Sequence, residues 1–176
     1  MSLHPGVETR TVRVEPLSPD SFAPFGTAVG VFERRDGDVA GPNWSGWYPL
    51  GEVPASLPLR IGLVETAPLD GPLQVMERHA ERTECAFAID GPVVFSVAHS
   101  SADGSAPDAS TVHAFVVLPG QGIILPPGTW HAAGAPLGEA GARYLFGLAE
   151  ESATEVNSGW VRFAGDQLVT VDADER

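Results

Sequence analysis

The sequence contains no lysine; all ten of its basic residues are arginine. That excludes Schiff-base chemistry on a lysine, and with it a pyridoxal-phosphate mechanism or a Walker-type phosphate loop. Basic charge is scarce altogether, with 10 basic residues against 23 acidic ones and a formal net charge of −13. A phosphate backbone is held by clustered basic groups, so nucleic acid is not an expected partner. The one cysteine, Cys85, cannot close an intramolecular disulfide, and nothing indicates an oxidising compartment. No apolar run approaches the roughly 18 residues of a membrane span. The N-terminus, carrying Glu8 and Arg10, lacks the apolar core of a signal peptide. A cytoplasmic protein without a membrane partner is the expectation.

Turn-forming residues, in contrast, are plentiful. Gly 20 and Pro 16 occur without a repeat, which favours many short strands over long helices. At 176 residues the chain can bury one sizeable core. We expect a loose leader at 1–10, a single domain over 11–170 and an acidic tail at 171–176. The run "TVRVEPL" (11–17) alternates and reads as a first strand. In "SPDSFAPFG", Ser18 is the N-cap and Pro19 the first residue of one short helix, with Phe22 and Phe25 directed inward. The segment 33–56 is rich in Gly, Pro and Trp, and its Trp44, Trp47 and Tyr48 are expected to pack against a core, a pocket or a second subunit. From residue 59 the runs "LRIGLVE", "LQVMERH", "ECAFAI", "PVVFSVAH", "TVHAFVVL", "QGIILP" and "ARYLFGLAE" are β-type, with turn signals between them. A sandwich or barrel follows, with "DQLVTVDADER" as one more edge strand.

Two stretches carry the chemistry. In the first, Gly71 is followed by five residues, Glu77-Arg78-His79, four residues, Glu84, six residues and Gly91. In the second, Gly120 is followed by five residues, then Pro126, Gly128 and His131 in "GQGIILPPGTWHAAGA". These registers resemble the paired motifs of the cupin superfamily, with Glu77 where a histidine is usual and Ala135 where an asparagine is usual. The resemblance implies an all-β double-stranded β-helix (jelly-roll) barrel, here with one short N-terminal helix.

The spacing has its own logic. Residues 77 and 79 project to one face of a strand while Arg78 points away. A turn through "AERT" returns the chain so that Glu84 faces His79, and "PPG" turns into the strand bearing His131. Glu77, His79, Glu84 and His131 would then converge as metal ligands. Two imidazoles and two carboxylates suit Fe, Mn, Ni, Zn or Co without choosing among them. A solvated hairpin surface is the other reading of "ERHAERTE". Trp130 and Cys85 fall on opposite faces from their neighbours and read as packing residues, while His4 and His99 have no evident partner and Glu81 falls off the motif.

Within the cupins, "VEPLSPDSFAPFGTAVG" (14–30), "PLQVMERHAERTECAFAIDG" (72–91) and "STVHAFVVLPGQGIILPPGTWHA" (110–132) resemble the ureidoglycolate lyase family. The family's usual Tyr-His is Leu125-Pro126 here, the arginine of its Arg-Ala-Phe is His113, and its usual glutamine is Glu84. The resemblance implies a carbon–nitrogen lyase of allantoin degradation and purine metabolism that splits ureidoglycolate into glyoxylate and urea. A metal would bind the substrate's carboxylate and hydroxyl oxygens, Glu84 or His113 would move the proton, and Arg60 or Arg143 would meet the small-molecule carboxylate. It also implies a homodimer, with residues 11–17 and 44–48 as interface material. Two rivals stay open, a non-haem iron cupin oxygenase or isomerase acting on another small acid, and a non-catalytic small-molecule-binding cupin.

Overall fold

A computed structural model of the chain describes residues 9–33, 36–55, 58–149 and 159–173. The alternating run near the N-terminus forms β1 (Thr9–Pro16). Ser18 then caps a single helical turn, α1 (Pro19–Phe22). Its hydroxyl accepts the amide of Ser21, and Pro19 supplies the preset φ of a first turn. Phe22 and Phe25 are both buried, as their spacing predicts. Short strands follow: β2 (Thr27–Val29), β3 (Val39–Gly41), β4 (Trp44–Gly46), β5 (Leu59–Glu65) and β6 (Val75–Met76). Next come β7 (Glu84–Ala88), β8 (Val93–Ala98), β9 (His113–Val117), β10 (Gly122–Leu125) and β11 (Trp130–His131). The last are β12 (Ala135–Pro136), β13 (Arg143–Ala149), β14 (Val161–Arg162) and β15 (Leu168–Asp172).

One sheet runs β11-β8-β9-β1-β15, with β12 also paired to β8, and the other runs β2-β10-β7-β13-β5. Their inner faces meet in a core that includes Phe95, Phe115, Val117, Ile123 and Tyr144. Each such side chain contributes roughly 1.5–3 kcal/mol on burial. A second cluster, with Met76, Trp130, Phe163 and Val169, covers the opposite face of the first sheet. Two sheets woven from distant strands around one core are the cupin jelly roll expected from the sequence. No helix among the described residues is long and apolar enough to cross a membrane.

The structure corrects several local expectations. Residues 9 and 10 are not leader but strand, because β1 pairs in parallel with β15 from Thr9 onward and Arg10 donates to the carbonyl of Ala109. Residues 171 and 172, expected in the tail, close that same pair; residues 1–8, His4 among them, and 174–176 lie outside the described residues. Within residues 11–17, Thr11–Arg13 pair with β15 and Val14–Pro16 with β9. Trp44 and Tyr48 do not cover the core. They sit on or beside the small β3–β4 hairpin and are exposed, Tyr48 by 79%. "LQVMERH" yields only the two residues of β6, which pair with β14.

Register positions the site. Inward residues of the second sheet line up across strands, and the row nearest the barrel mouth joins Leu125, Glu84, Leu148 and Arg60. On the facing sheet the corresponding row joins His131, Val97 and His113. Below Arg60 on β5, Gly62 leaves room for the Phe146 ring, which a Cβ would strike.

Candidate metal centre

Main-chain geometry brings the two motif segments together. Glu77 and His131 exchange backbone hydrogen bonds in both directions, at 2.8 and 2.9 Å. The amide of Gly128 donates to the carbonyl of His79 at 2.8 Å, and Gly128 adopts φ 86°, a left-handed conformation that a side chain would strain. Thr129 ties the same turn to the end of α1 by donating its hydroxyl to the Phe25 carbonyl. After His79 the chain turns at residues 80 and 81, and Glu84 opens β7 facing back toward it.

The side chains converge. His79 Nε2 is 2.8 Å from Glu84 Oε2, His131 Nε2 is 3.4 Å from the same oxygen, and His131 Nε2 is 3.9 Å from Glu77 Oε1. Ligand atoms of Glu77, His79 and His131 all lie within 4.8 Å of one another. His131 donates its Nδ1–H to the Thr129 carbonyl at 3.0 Å, so Nε2 carries the lone pair. That nitrogen is buried without a hydrogen-bond partner; Glu84 Oε2 lies 3.4 Å away, off hydrogen-bond geometry. A lone pair set against carboxylate oxygens calls for a cation between them. Metal bonds of about 2.1 Å at right angles put ligand atoms about 3 Å apart, close to the separations seen here.

The same electrostatics perturb the ionisable groups. Burial pushes the Glu84 carboxyl up, but the adjoining His131 and His79 imidazoles outweigh it and hold the pKa down at about 2. Burial pulls the His131 imidazole down, yet Glu84, the Thr129 carbonyl and Glu77 raise it overall. Glu77 is raised, chiefly by burial. Three charges crowded into a dry pocket are thus tuned against each other.

The other residues singled out by sequence fall in different places. Arg78 points away, stacks 4.5 Å over the Trp130 ring and reaches Ser100, and both Trp130 and Cys85 are packing residues as expected. Arg60 stands on the mouth row, one strand beyond Leu148. Arg143 is not brought to the cluster. It lies at the opposite end of β13, on the outer face, and pairs with Asp90. His113 lies on the mouth row of the facing sheet and contacts Glu15. His99 does have a partner, since its ring stacks on Phe25 at 4.7 Å.

Sequence reasoning missed Glu15 and Arg82. A cleft of about 780 Å³ is lined by Phe25, Glu52, Glu81, Arg82, Thr83 and Thr129 among others. It flanks the cluster of Glu77, His79, Glu84 and His131 without including any of the four side chains. Only their neighbours Thr83 and Thr129 reach it, so it adjoins the chemistry rather than containing it.

A model of a protein family described as ureidoglycolate lyase matches residues 9–165. The ureidoglycolate lyase of Pseudomonas syringae pv. tomato is 28% identical over 128 residues, covering 69% of this chain and 74% of its own. That of Pseudomonas savastanoi pv. phaseolicola is 26% identical over 169 residues, covering 93% of this chain and 96% of its own. Among solved structures, oxalate oxidase in complex with the substrate analogue glycolate matches 59% of this chain and 45% of its own at 20% identity, with a TM-score of 0.41.

Proposed function

The chain belongs to the ureidoglycolate lyase family, and from that premise we propose that it cleaves ureidoglycolate to glyoxylate and urea, in allantoin degradation. The site is the cluster of Glu77, His79, Glu84 and His131, with a divalent metal ion as cofactor. The observation that carries this reading is the buried His131 Nε2, a lone pair facing carboxylate oxygens. When bound, such an ion supplies polarisation of the substrate's hydroxyl oxygen.

The protein's own groups do the remaining work. His79 and His131 offer neutral nitrogen donors, and Glu77 and Glu84 supply negative charge. With a pKa near 2, Glu84 stays ionised and is a poor proton acceptor, so we assign it as ligand rather than base. Leu125 and Leu148, buried on either side of Glu84, keep water from the reacting centre. Arg60, on that row, is the cation we assign to the substrate carboxylate, in preference to Arg143. Glyoxylate release from ureidoglycolate by purified protein of measured metal content tests the reading. Metal near one equivalent with glyoxylate and urea formed in equal amounts is the expected result. Metal-loaded protein that releases neither removes the reaction.

We further place the enzyme in the cytoplasm as a homodimer. The outer face of the edge strand β5 exposes Leu59, Ile61 and Leu63, with Leu145 beside them, and this apolar strip is the contact we assign. Ile61→Arg should convert a dimer to a monomer in sedimentation; a wild type that sediments as a monomer at micromolar concentration sinks the assignment.

A further inference from the structure

Apart from the cluster of Glu77, His79, Glu84 and His131, one other carboxylate and imidazole meet at the barrel mouth among the described residues. His113 Nδ1 lies 2.9 Å from Glu15 Oε1, although the two residues are 98 apart in sequence. They meet because β1 pairs in parallel with β9, where Glu15 sits opposite Phe115. His113 occupies the inward row that continues through Val97 to His131. Two strand spacings of about 4.8 Å put the backbones of His113 and His131 about 10 Å apart, with the buried Val97 on the row between them. The rings of Phe25 and Phe115 flank the His113 imidazole, at 5.3 and 6.0 Å between centroids.

We propose that His113 is the proton carrier of the reaction and that Glu15 is the positioning residue that orients it. The proposal rests on the lyase reading of the neighbouring cluster. By accepting the Nδ1–H of His113, Glu15 leaves Nε2 as the basic nitrogen. The reaction asks for one such group. The 2-hydroxyl of ureidoglycolate loses its proton, and the O–H electron pair becomes the second C–O bond of glyoxylate. The C–N bond breaks with its pair on the urea nitrogen, which takes up one proton. One proton leaves oxygen and one arrives at nitrogen, so a single imidazole that carries it ends each turnover as it began. Exposed contacts of this kind add little to stability, so substitution here reports on chemistry rather than folding.

His113→Ala in the metal-loaded protein should lower kcat by about 100-fold or more, with metal content unchanged and KM little altered, and added imidazole should restore part of the rate. Glu15→Gln should lower kcat about tenfold, and Glu15→Asp should recover most of it. Nitrogen NMR of the ring should show the Nδ1–H tautomer in the wild type and a mixture in Glu15→Gln. An Nε2–H tautomer in the wild type, or an active wild type with unimpaired H113A, overturns this proposal alone. A metal-loaded wild type that releases no glyoxylate overturns the lyase reading and the proton-carrier role with it.

Discussion

Two imidazole–carboxylate contacts of nearly equal length flank the same barrel mouth, 2.8 Å between His79 and Glu84 and 2.9 Å between His113 and Glu15. What separates them is water. The first pair is 8% and 13% exposed, the second 44% on both sides. In the dry setting the charges act on each other strongly, Glu84 is driven to a pKa of about 2, and His131 is pushed up beside it. Such a group holds a cation well and trades protons poorly. In the wetter setting, solvent screens the contact and the two groups act on each other weakly. Distance alone therefore does not assign a role; the surroundings do.

The comparison breaks first if the two histidines prove interchangeable. His131→Ala should weaken metal affinity by more than about 100-fold, beyond the loss typical of an outer partner, while His113→Ala retains the ion through dialysis. Equal metal content in the two variants would refute the division. Next in size is Glu84→Gln in metal-free protein, which should cost about 2 kcal/mol in denaturant unfolding, since it strips a charged partner from two buried imidazoles.

Acidity sharpens the same contrast. In the metal-free protein Glu84, with its folded value of about 2 below the ordinary 4.5, adds stability that is present above pH 4.5 and lost between there and pH 2. His131, raised above 6.5, adds stability that is full below pH 6.5 and fades as pH climbs through its folded value. The joint contribution of these two groups should therefore be greatest between pH 4.5 and 6.5 in thermal melts. Metal loading should run the other way, strengthening with rising pH as His131 sheds its proton. Smallest of all, Glu15→Gln should change unfolding free energy by less than about 0.5 kcal/mol; a larger loss would place Glu15 with the buried set.

Most of the fold was legible because its signals are local. Ser18 and Pro19 announce a helix start from their own chemistry, and the Gly71-to-Gly91 and Gly120-to-His131 registers single out Glu77, His79, Glu84 and His131 through their resemblance to the paired cupin motifs. What escaped the sequence is nonlocal. Nothing near Glu15 specifies His113, since only the parallel pairing of β1 with β9 joins them. Arg82 borders the flanking cleft because the turn after His79 carries it there, not because of any pattern around it. Arg143 sat on a plausible strand, but its odd position on β13 sends it outward to Asp90. By sequence Trp44 and Tyr48 are open to a core, a pocket or a second subunit, and within this chain both are exposed.

The reciprocal main-chain bonds between Glu77 and His131 have one more effect. They set the backbones of two candidate metal ligands at a fixed separation by groups that every residue possesses, so the mount survives when its side chains are exchanged. Iron, manganese, nickel, zinc and cobalt forms of this enzyme should accordingly share one scaffold and one melting profile apart from the affinity contribution. Differences in turnover among them then report the ions themselves, which makes this barrel a fair balance on which to weigh one metal against another.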